Sequence, residues 1–533
     1  MRTTDANGIA AVGSWTLGDA LGTNRLRASV NGLPEVEFNA TGTSGPAASL
    51  EIVSGDGQTA LVGSIIEGIG FLLTDAGGRP VSVPTRATFE VTTGEGIIGS
   101  VDATTAPDGT LRLPRWTLGS IGGVNEVRVS VAGLQPVTVS ATAVGFALRD
   151  VVAGGEHSCA LSAEGLAYCW GANDAGQLGE GSSVPSRKPV AVSGTDRYLA
   201  LAAGDRHTCG LRLDRAVLCW GANESGQLGN GTTVSSSTPV EVASNESFDV
   251  IAAGGAHTCA ISSETEARVF CWGGNESGEL GDGTLTATST PVPVLTVGNV
   301  VGATGGALAA GASATCALVS NGYDFVHLAT CWGRMHHADG TSTVTLTPTV
   351  FSSVLNLYSI AAGGEHFCGV EADLPGYTLG GAIYCWGMGA LGAGSGSPSD
   401  VPLKAMDRVG TEDRLGVLAL GGAHSCAAWR SHAAQCWGSN DAGQLGSGTT
   451  DDRGVAGAVI AEPTPPGGVS LSRNAFRAIA AGSAHSCGVA FSGLPLVGPV
   501  LCWGSNDSGQ LADGTTTARL YPTPITPPDV QGR

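Results

Sequence analysis

Basic charge is what this chain most lacks. Of its 533 residues only two are lysines, Lys188 and Lys404, and Lys plus Arg number 26 against 46 Asp plus Glu, a net charge of −20. No basic run exists to track phosphates or to grip an anionic bilayer, so neither nucleic acid nor direct membrane insertion is expected. Aromatic residues are 5% and charged residues 14% of the chain. The opening Met1-Arg2-Thr3-Thr4-Asp5 runs into polar residues, without the apolar run of a secretory leader. Val297 to Val319 carries no charged residue, but it is Gly, Ala, Ser and Thr rather than Leu and Ile. It therefore reads as a repeat strand and not as a membrane helix. Cysteine is absent before Cys159. What the chain has in plenty is glycine, 83 residues, which suits an all-β protein with many tight turns.

Two copies of one pattern fill the chain ahead of Phe146. Thr3 to Thr43 matches Thr104 to Val144 at a constant offset, pairing Gly8 with Gly109, Trp15 with Trp116, Asn24 with Asn125 and Val30 with Val131. A period of about 100 residues, with alternating runs such as Val127-Arg128-Val129-Ser130-Val131, predicts a β-sandwich. Trp15 and Trp116 are expected to anchor the cores. The Asp-Gly turn, the Trp-Thr-Leu-Gly segment and the strand after it resemble bacterial immunoglobulin-like domains. The resemblance implies the C-terminal half of one such domain at 1–43 and a complete one at 46–144. The first copy lacks its front half, so residue 1 is expected to lie inside a domain, which would account for the missing leader.

From Phe146 a second pattern takes over, read most cleanly from Val250 to Gly283. Fourteen cysteines come in seven pairs: Cys159/Cys169, Cys209/Cys219, Cys259/Cys271, Cys316/Cys331, Cys368/Cys385, Cys426/Cys436 and Cys487/Cys502. Each second member is followed by Trp-Gly, at Trp170, Trp220, Trp272, Trp332, Trp386, Trp437 and Trp503. A strand-rich period of about 50 residues indicates a propeller, one blade per repeat. Gly-Gly-x-His-Ser/Thr-Cys followed by Trp-Gly-x-Asn-x-x-Gly-Gln-Leu-Gly resembles the repeat of the regulator of chromosome condensation (RCC1) family. The resemblance covers 147–533 and implies a seven-bladed RCC1-like β-propeller, so the fold expected is all-β, with this propeller preceded by Ig-like β-sandwich modules. The segment Leu520 to Ile525 is expected to lend a strand to the blade begun by Val151 and so close the ring.

Register follows from the cysteines. If Cys259 faces Cys271 across an antiparallel pair, Thr258 opposes Trp272 and His257 opposes Gly273. Alternation then puts the Cys pair and His on one face of the sheet and Trp on the other. Each pair is expected to be a structural disulfide, with buried free thiols as the alternative. Two cysteines this far apart, with one histidine beside them, do not make a zinc knuckle. The recurrent His reads as packing or as a hydrogen bond to a neighbouring blade, since the Ser or Thr beside it on the strand points the other way. Repeat four has Ala314 in its place. The Asn-x-x-Gly-Gln-Leu-Gly turns read as side-chain-capped turns without a calcium-loop pattern.

Repeats four and five break the pattern, with Gly333-Arg334-Met335-His336-His337-Ala338-Asp339 after Trp332 and a glycine-rich run after Trp386. The departures and the long hairpin tips mark candidate partner-contact loops, carrying Tyr323, Phe325, His336, His337, Tyr377 and Phe491. No catalytic, metal or cofactor constellation stands out, and no cofactor is expected. The expected function is a non-enzymatic, exported or cell-surface bacterial scaffold, a monomeric propeller that binds a protein or glycan, because seven disulfides need an oxidising compartment. Two alternatives remain. One is guanine-nucleotide exchange on a small GTPase, as the eukaryotic RCC1 family implies, in the cytoplasm. The other is a secreted enzyme inhibitor of the β-lactamase-inhibitor propeller type, which needs an aromatic-rich rim.

Overall fold

The computed structural model describes residues 3–17, 22–94, 96–119, 121–264, 266–295, 300, 306–320, 327–351, 355–372, 381–389, 391–394, 396–407, 415–429, 433–460, 476–491 and 497–528. Every regular element among them is a strand. No helix among them is long and apolar enough to cross a membrane, and Ala314–Ser320, inside the long uncharged stretch, is a strand. The chain divides into two compact units. One is built from Met1–Gln58, Ile65–Leu118 and Val124–Thr142, the other from Thr59–Ser64, Gly119–Gly123 and Ala143–Arg533.

In the first unit, Ala47–Ser54, Gly70–Asp75 and Thr110–Arg112 form one antiparallel sheet. Arg86–Thr93 pairs with the 126–131 stretch and with Asp102–Thr104. Alternation does the sorting: Ala87 and Phe89 are buried while Arg86, Thr88 and Glu90 are exposed. Trp116 is fully buried, as a core anchor should be. Trp15 is only half-buried. The hairpin that follows it, Gly22–Ala28 with Val36–Gly42, leaves Val36 and Phe38 more than half exposed, so no second layer covers it to make a core there.

The second unit repeats one antiparallel meander. In repeat three the strands are Phe248–Ala253, His257–Ser262, Val269–Gly273 and Thr288–Pro293, paired in sequence order. Repeats one to six each form such a four-stranded sheet. The seventh set, Phe476–Ala481, His485–Ala490, Gly498–Gly504 and Arg519–Pro524, pairs in the same order. The expected register holds in every repeat: Thr258 opposes Trp272 and His257 opposes Gly273, and the same offsets recur from repeat one to repeat seven.

Closure of the ring differs from the expectation. Arg519–Pro524 completes its own repeat's sheet and lends no strand to repeat one. Repeat seven instead meets repeat one as any repeat meets the next. Ser483 N donates to Gly155 O at 3.1 Å, Gly514 N to Arg187 O at 3.1 Å, and the Trp170 indole to Gln510 O at 2.9 Å.

Candidate binding surface and the joints that hold it

Each joint between consecutive repeats is an apolar sandwich with a polar clasp. The disulfide face of one sheet packs on the tryptophan face of the next. Cys159, Cys169 and Leu178 of repeat one lie in one cluster with Tyr198, Leu218 and Trp220 of repeat two. The cysteines are joined across each hairpin as the register requires. The bonds are Cys159–Cys169, Cys209–Cys219, Cys259–Cys271 and Cys316–Cys331 in repeats one to four. Repeats five to seven carry Cys368–Cys385, Cys426–Cys436 and Cys487–Cys502. No thiol is left free, so the alternative of buried free thiols does not describe this structure. All these cysteines are buried, and the bonded Cα atoms are 4.0–4.1 Å apart, the close approach of directly opposed strand residues.

The clasp starts at the repeated histidine. His157 Nε2 lies 2.8 Å from Thr208 Oγ1 of the next repeat. That hydroxyl donates to Gln177 O at 3.0 Å, and the same carbonyl accepts the Trp220 indole N–H at 2.9 Å. A hydroxyl that gives its proton to a carbonyl must accept from the imidazole, so the ring is the neutral tautomer protonated on Nε2. Five further joints carry the His–hydroxyl bond: His207 to Thr258, His257 to Thr315, His366 to Ser425, His424 to Ser486 and His485 to Ser158, each at 2.8–2.9 Å. The Nδ1 atoms of His157, His207, His424 and His485 have no hydrogen-bond partner among the described residues. Burial holds the imidazoles far below their ordinary pKa, at about 4 for His157, His257 and His366. For His207, His424 and His485 it is about 3, with desolvation the main cause and neighbouring histidines adding to it.

These His–Ser pairs have the reach of a nucleophile–base dyad but not its access. Ser158, Ser425 and Ser486 are fully buried, and Ser486 Oγ is committed to Gln444 O at 2.9 Å. No substrate atom can approach, so the pairs are clasps.

Glycine is required where the clasps crowd the backbone. Gly171, opposite His157, has φ 102°, and a Cβ there would sit 2.8 Å from His157 Cα. A Cβ on Gly154 would collide with the His157 ring and with Gly204 O of the next repeat. These small residues leave a central channel of about 250 Å³ lined by the inner-strand ends, among them Ala153, Gly155, Gly255 and Gly364. Asp205 brings a carboxyl to it, held above its ordinary pKa by desolvation. Asp205 and Ser483 among glycines, alanines and Leu420 make no catalytic constellation, and no metal-holding cluster occurs among the described residues.

The Asn turns serve the frame too. Asn173 Nδ2 donates to Glu180, Ser182 O and Val184 O, and its Oδ1 accepts from Leu178 N, all within 3.2 Å. Asn223, Asn275, Asn440 and Asn506 repeat the arrangement, every one fully buried.

Repeats four and five depart from this frame together. Where repeat four has Ala314 for His, repeat five has Phe367 for Ser or Thr, so donor and acceptor of one clasp are lost as a pair. The gap is filled by carbon: Phe367 and Phe351 both stack on Trp386, at 6.1 and 4.8 Å between centroids. Without a Gln-Leu-Gly turn in repeat four, the Trp386 indole N–H finds no acceptor among the described residues. In place of that turn stands a long hairpin, His327–His336 with Ser342–Val350. It reaches repeat five through His336 Nε2, 3.5 Å from Glu365, and His337 Nδ1, 3.4 Å from Asp400.

The candidate contact residues fare unequally. Tyr323, Phe325 and Tyr377 lie outside the described residues. Phe491 is 48% exposed at a hairpin end. His337 is partly exposed and also meets Thr343 Oγ1 at 3.0 Å. His336 ends a strand with a side chain only 11% exposed, which takes it off the accessible surface: the stretch expected as an open loop is paired hairpin. Sequence reasoning allows the histidine a hydrogen bond to a neighbouring repeat but does not identify the hydroxyl that accepts it. The signal lies in the repeats, in the joint loss of His at 314 and Ser/Thr at 367.

Known proteins share this unit. Two family models, each described as the regulator of chromosome condensation (RCC1) repeat, match the chain. One matches at 164–211, 215–261, 266–318, 436–489 and 498–532, the other at 148–177, 199–227, 249–279 and 476–510. The human E3 ubiquitin-protein ligase HERC2 is 30% identical over 273 residues, 49% of this chain and 5% of that protein. The ultraviolet-B receptor UVR8 of Arabidopsis thaliana is 29% identical over 229 residues, 41% of this chain and 46% of the receptor. The chain thus spans less than half the length of these relatives. Prp20p of Saccharomyces cerevisiae superposes with a TM-score of 0.54 at 22% identity, covering 70% of this chain and 88% of that one, which shows the propeller fold.

Proposed function

The chain belongs to the RCC1 repeat family, and on that footing we propose that it is a non-enzymatic protein-binding scaffold, a seven-bladed propeller that works outside the cytosol. One observation carries the reading: the chemically suggestive residues of the regular repeats are buried and bonded within the frame, from the His–hydroxyl pairs to the Asn turns. Binding then falls to what the frame leaves over, the outer strands and hairpin ends of the two irregular repeats. Val344 and Val401 stand there, 42% and 57% exposed. Seven disulfides suit an oxidising compartment, and the first unit, read as Ig-like modules, would serve as a spacer. The partner class is protein or glycan, since the chain's −20 charge disfavours nucleic acid.

The test is cross-linked capture of partners by the full chain and by a Val344→Asp, Val401→Asp variant. At least a tenfold loss of capture is expected, with the fold intact by circular dichroism; unchanged capture contradicts the placement. The printed description of Prp20p speaks of its binding to Gsp1p and histones. Stimulated nucleotide release from a small GTPase by this chain would favour exchange activity over the scaffold reading.

A further inference from the structure

The six clasped joints share a weakness that the fourth–fifth joint does not. Each depends on a buried imidazole that already donates Nε2–H to its hydroxyl partner, and at His157, His207, His424 and His485 an added proton on Nδ1 finds no acceptor among the described residues. The ionisable groups that bear on these rings are other histidines, as His157 and His257 do on His207. Adding a proton therefore places unmatched charge in a buried site. The fourth–fifth joint, with Ala314 and Phe367 at the clasp positions, holds no such His–hydroxyl pair there. Ala314, Leu318, Phe351, Phe367 and Trp386 meet there as carbon on carbon. The histidines on the strand beside it are His327, whose Nδ1 is buried and which alternation puts on the face of Ala329 and Cys331, and His336, toward Glu365; His337, just past the strand, faces Asp400, with Asp339 and Arg334 on the hairpin itself.

We propose that the ring contains one acid-resistant seam, between repeats four and five: acid parts the other joints and leaves these two repeats joined. The inter-repeat backbone bonds report on it directly. Ala312 N to Gly364 O, 2.8 Å, crosses the seam. Gly155 N to Gly204 O, Gly255 N to Gly311 O, Gly422 N to Gly482 O and Ser483 N to Gly155 O cross clasped joints.

The experiment is amide hydrogen exchange on the full, disulfide-intact chain at pH 7 and pH 5, normalised to unfolded peptides. An opening that frees one buried histidine should become about 25-fold more frequent over that interval. Protection at Gly155, Gly255, Gly422 and Ser483 is expected to fall by at least that factor. Protection at Ala312 should change less than about threefold. Equal loss at all five amides, earlier loss at Ala312, or no loss at any of them overturns the proposal. Two variants sharpen it. Ala314→His with Phe367→Thr should make the Ala312 amide acid-sensitive. His207→Gln, which keeps a donor for Thr258 but cannot take the proton, should make the second–third joint resistant.

Discussion

The joint between repeats one and two and the joint between repeats four and five meet the same demand with different chemistry. Both bury a tryptophan against the preceding sheet's disulfide, Cys159–Cys169 in the first and Cys316–Cys331 in the second. The first adds a directional chain, His157 to Thr208 to Gln177 O, shared with Trp220. The second drops the imidazole, the hydroxyl and the accepting carbonyl, stacks Phe351 and Phe367 on Trp386, and leaves the Trp386 indole N–H without an acceptor among the described residues. A buried hydroxyl without its imidazole would cost about 1–3 kcal/mol, so losing both ends together is the less disruptive change. The lesson is that an irregular repeat is not a decayed one: its substitutions compensate each other inside, and only its hairpin and outer strand are left free to vary.

The largest effect expected in this comparison comes from the disulfides, which both kinds of joint share. Cross-links whose sequence separations run from 10 at Cys159–Cys169 to 17 at Cys368–Cys385 contribute about 3 kcal/mol each in the loop-entropy account. Full reduction should therefore collapse the urea midpoint of the repeat unit while leaving the cysteine-free first unit unchanged, followed by fluorescence and circular dichroism. If both transitions shift alike, the bonds do not hold the repeats.

Acid should separate the joints next. A histidine whose folded pKa is about 4, against an ordinary 6.5, binds fewer protons folded than unfolded. Its contribution is neutral above pH 6.5, and stability is lost as pH falls from there toward 4. The loss is about 1.4 kcal/mol per pH unit for each such histidine. Urea midpoints measured from pH 7.5 to 4.5 should drop steeply below pH 6.5; a flat profile would mean that the rings are charged or solvated.

Single substitutions then rank the two chemistries. Phe367→Ala should cost about 3–5 kcal/mol, since it removes one of two rings stacked on Trp386 and leaves a cavity. Thr208→Val should cost about 1–3 kcal/mol by stranding the His157 N–H and freeing one bond to Gln177 O. Thermal melts in which Thr208→Val unfolds at a lower temperature than Phe367→Ala would reverse the ranking. At the bottom stands Arg268→Ala, which breaks the exposed pair with Glu246 and should shift stability by less than about 1 kcal/mol.

Much of the frame is legible in the residues. Period-two alternation and repeated copies settle which residue faces which: Cys on Cys, Trp behind, Gly opposite His. The same rule carries through the longer hairpins, where Cys331, Cys385 and Cys502 still oppose their partners because each ladder keeps one register, which in repeat four runs on to Ser320 and His327. What stays hidden lies between repeats. Nothing within one repeat tells that His157 meets Thr208 fifty-one positions on. Closure is misread for the same reason: Leu520 to Ile525 resembles the last strand of every repeat because it is the last strand of its own. Trp15 matches Trp116 in sequence, yet only Trp116 has the opposed strands 65–66 and 97–98 that make a core around it. The hairpin of repeat four reads as a loop because His336 and His337 carry no strand signal; His336 is set by pairing with Ser342, and His337 by its N–H donating to Thr341 O across the turn.

The central claim is that an oxidised, clasped frame carries the binding surface and does no chemistry in its joints. Thiol counting tests its foundation most directly. The protein, isolated from its host without reductant, is alkylated before and after reduction in denaturant, and its intact mass is read each time. The account predicts no modified cysteine in the first case and all fourteen in the second. Reactive thiols in the unreduced protein would contradict it.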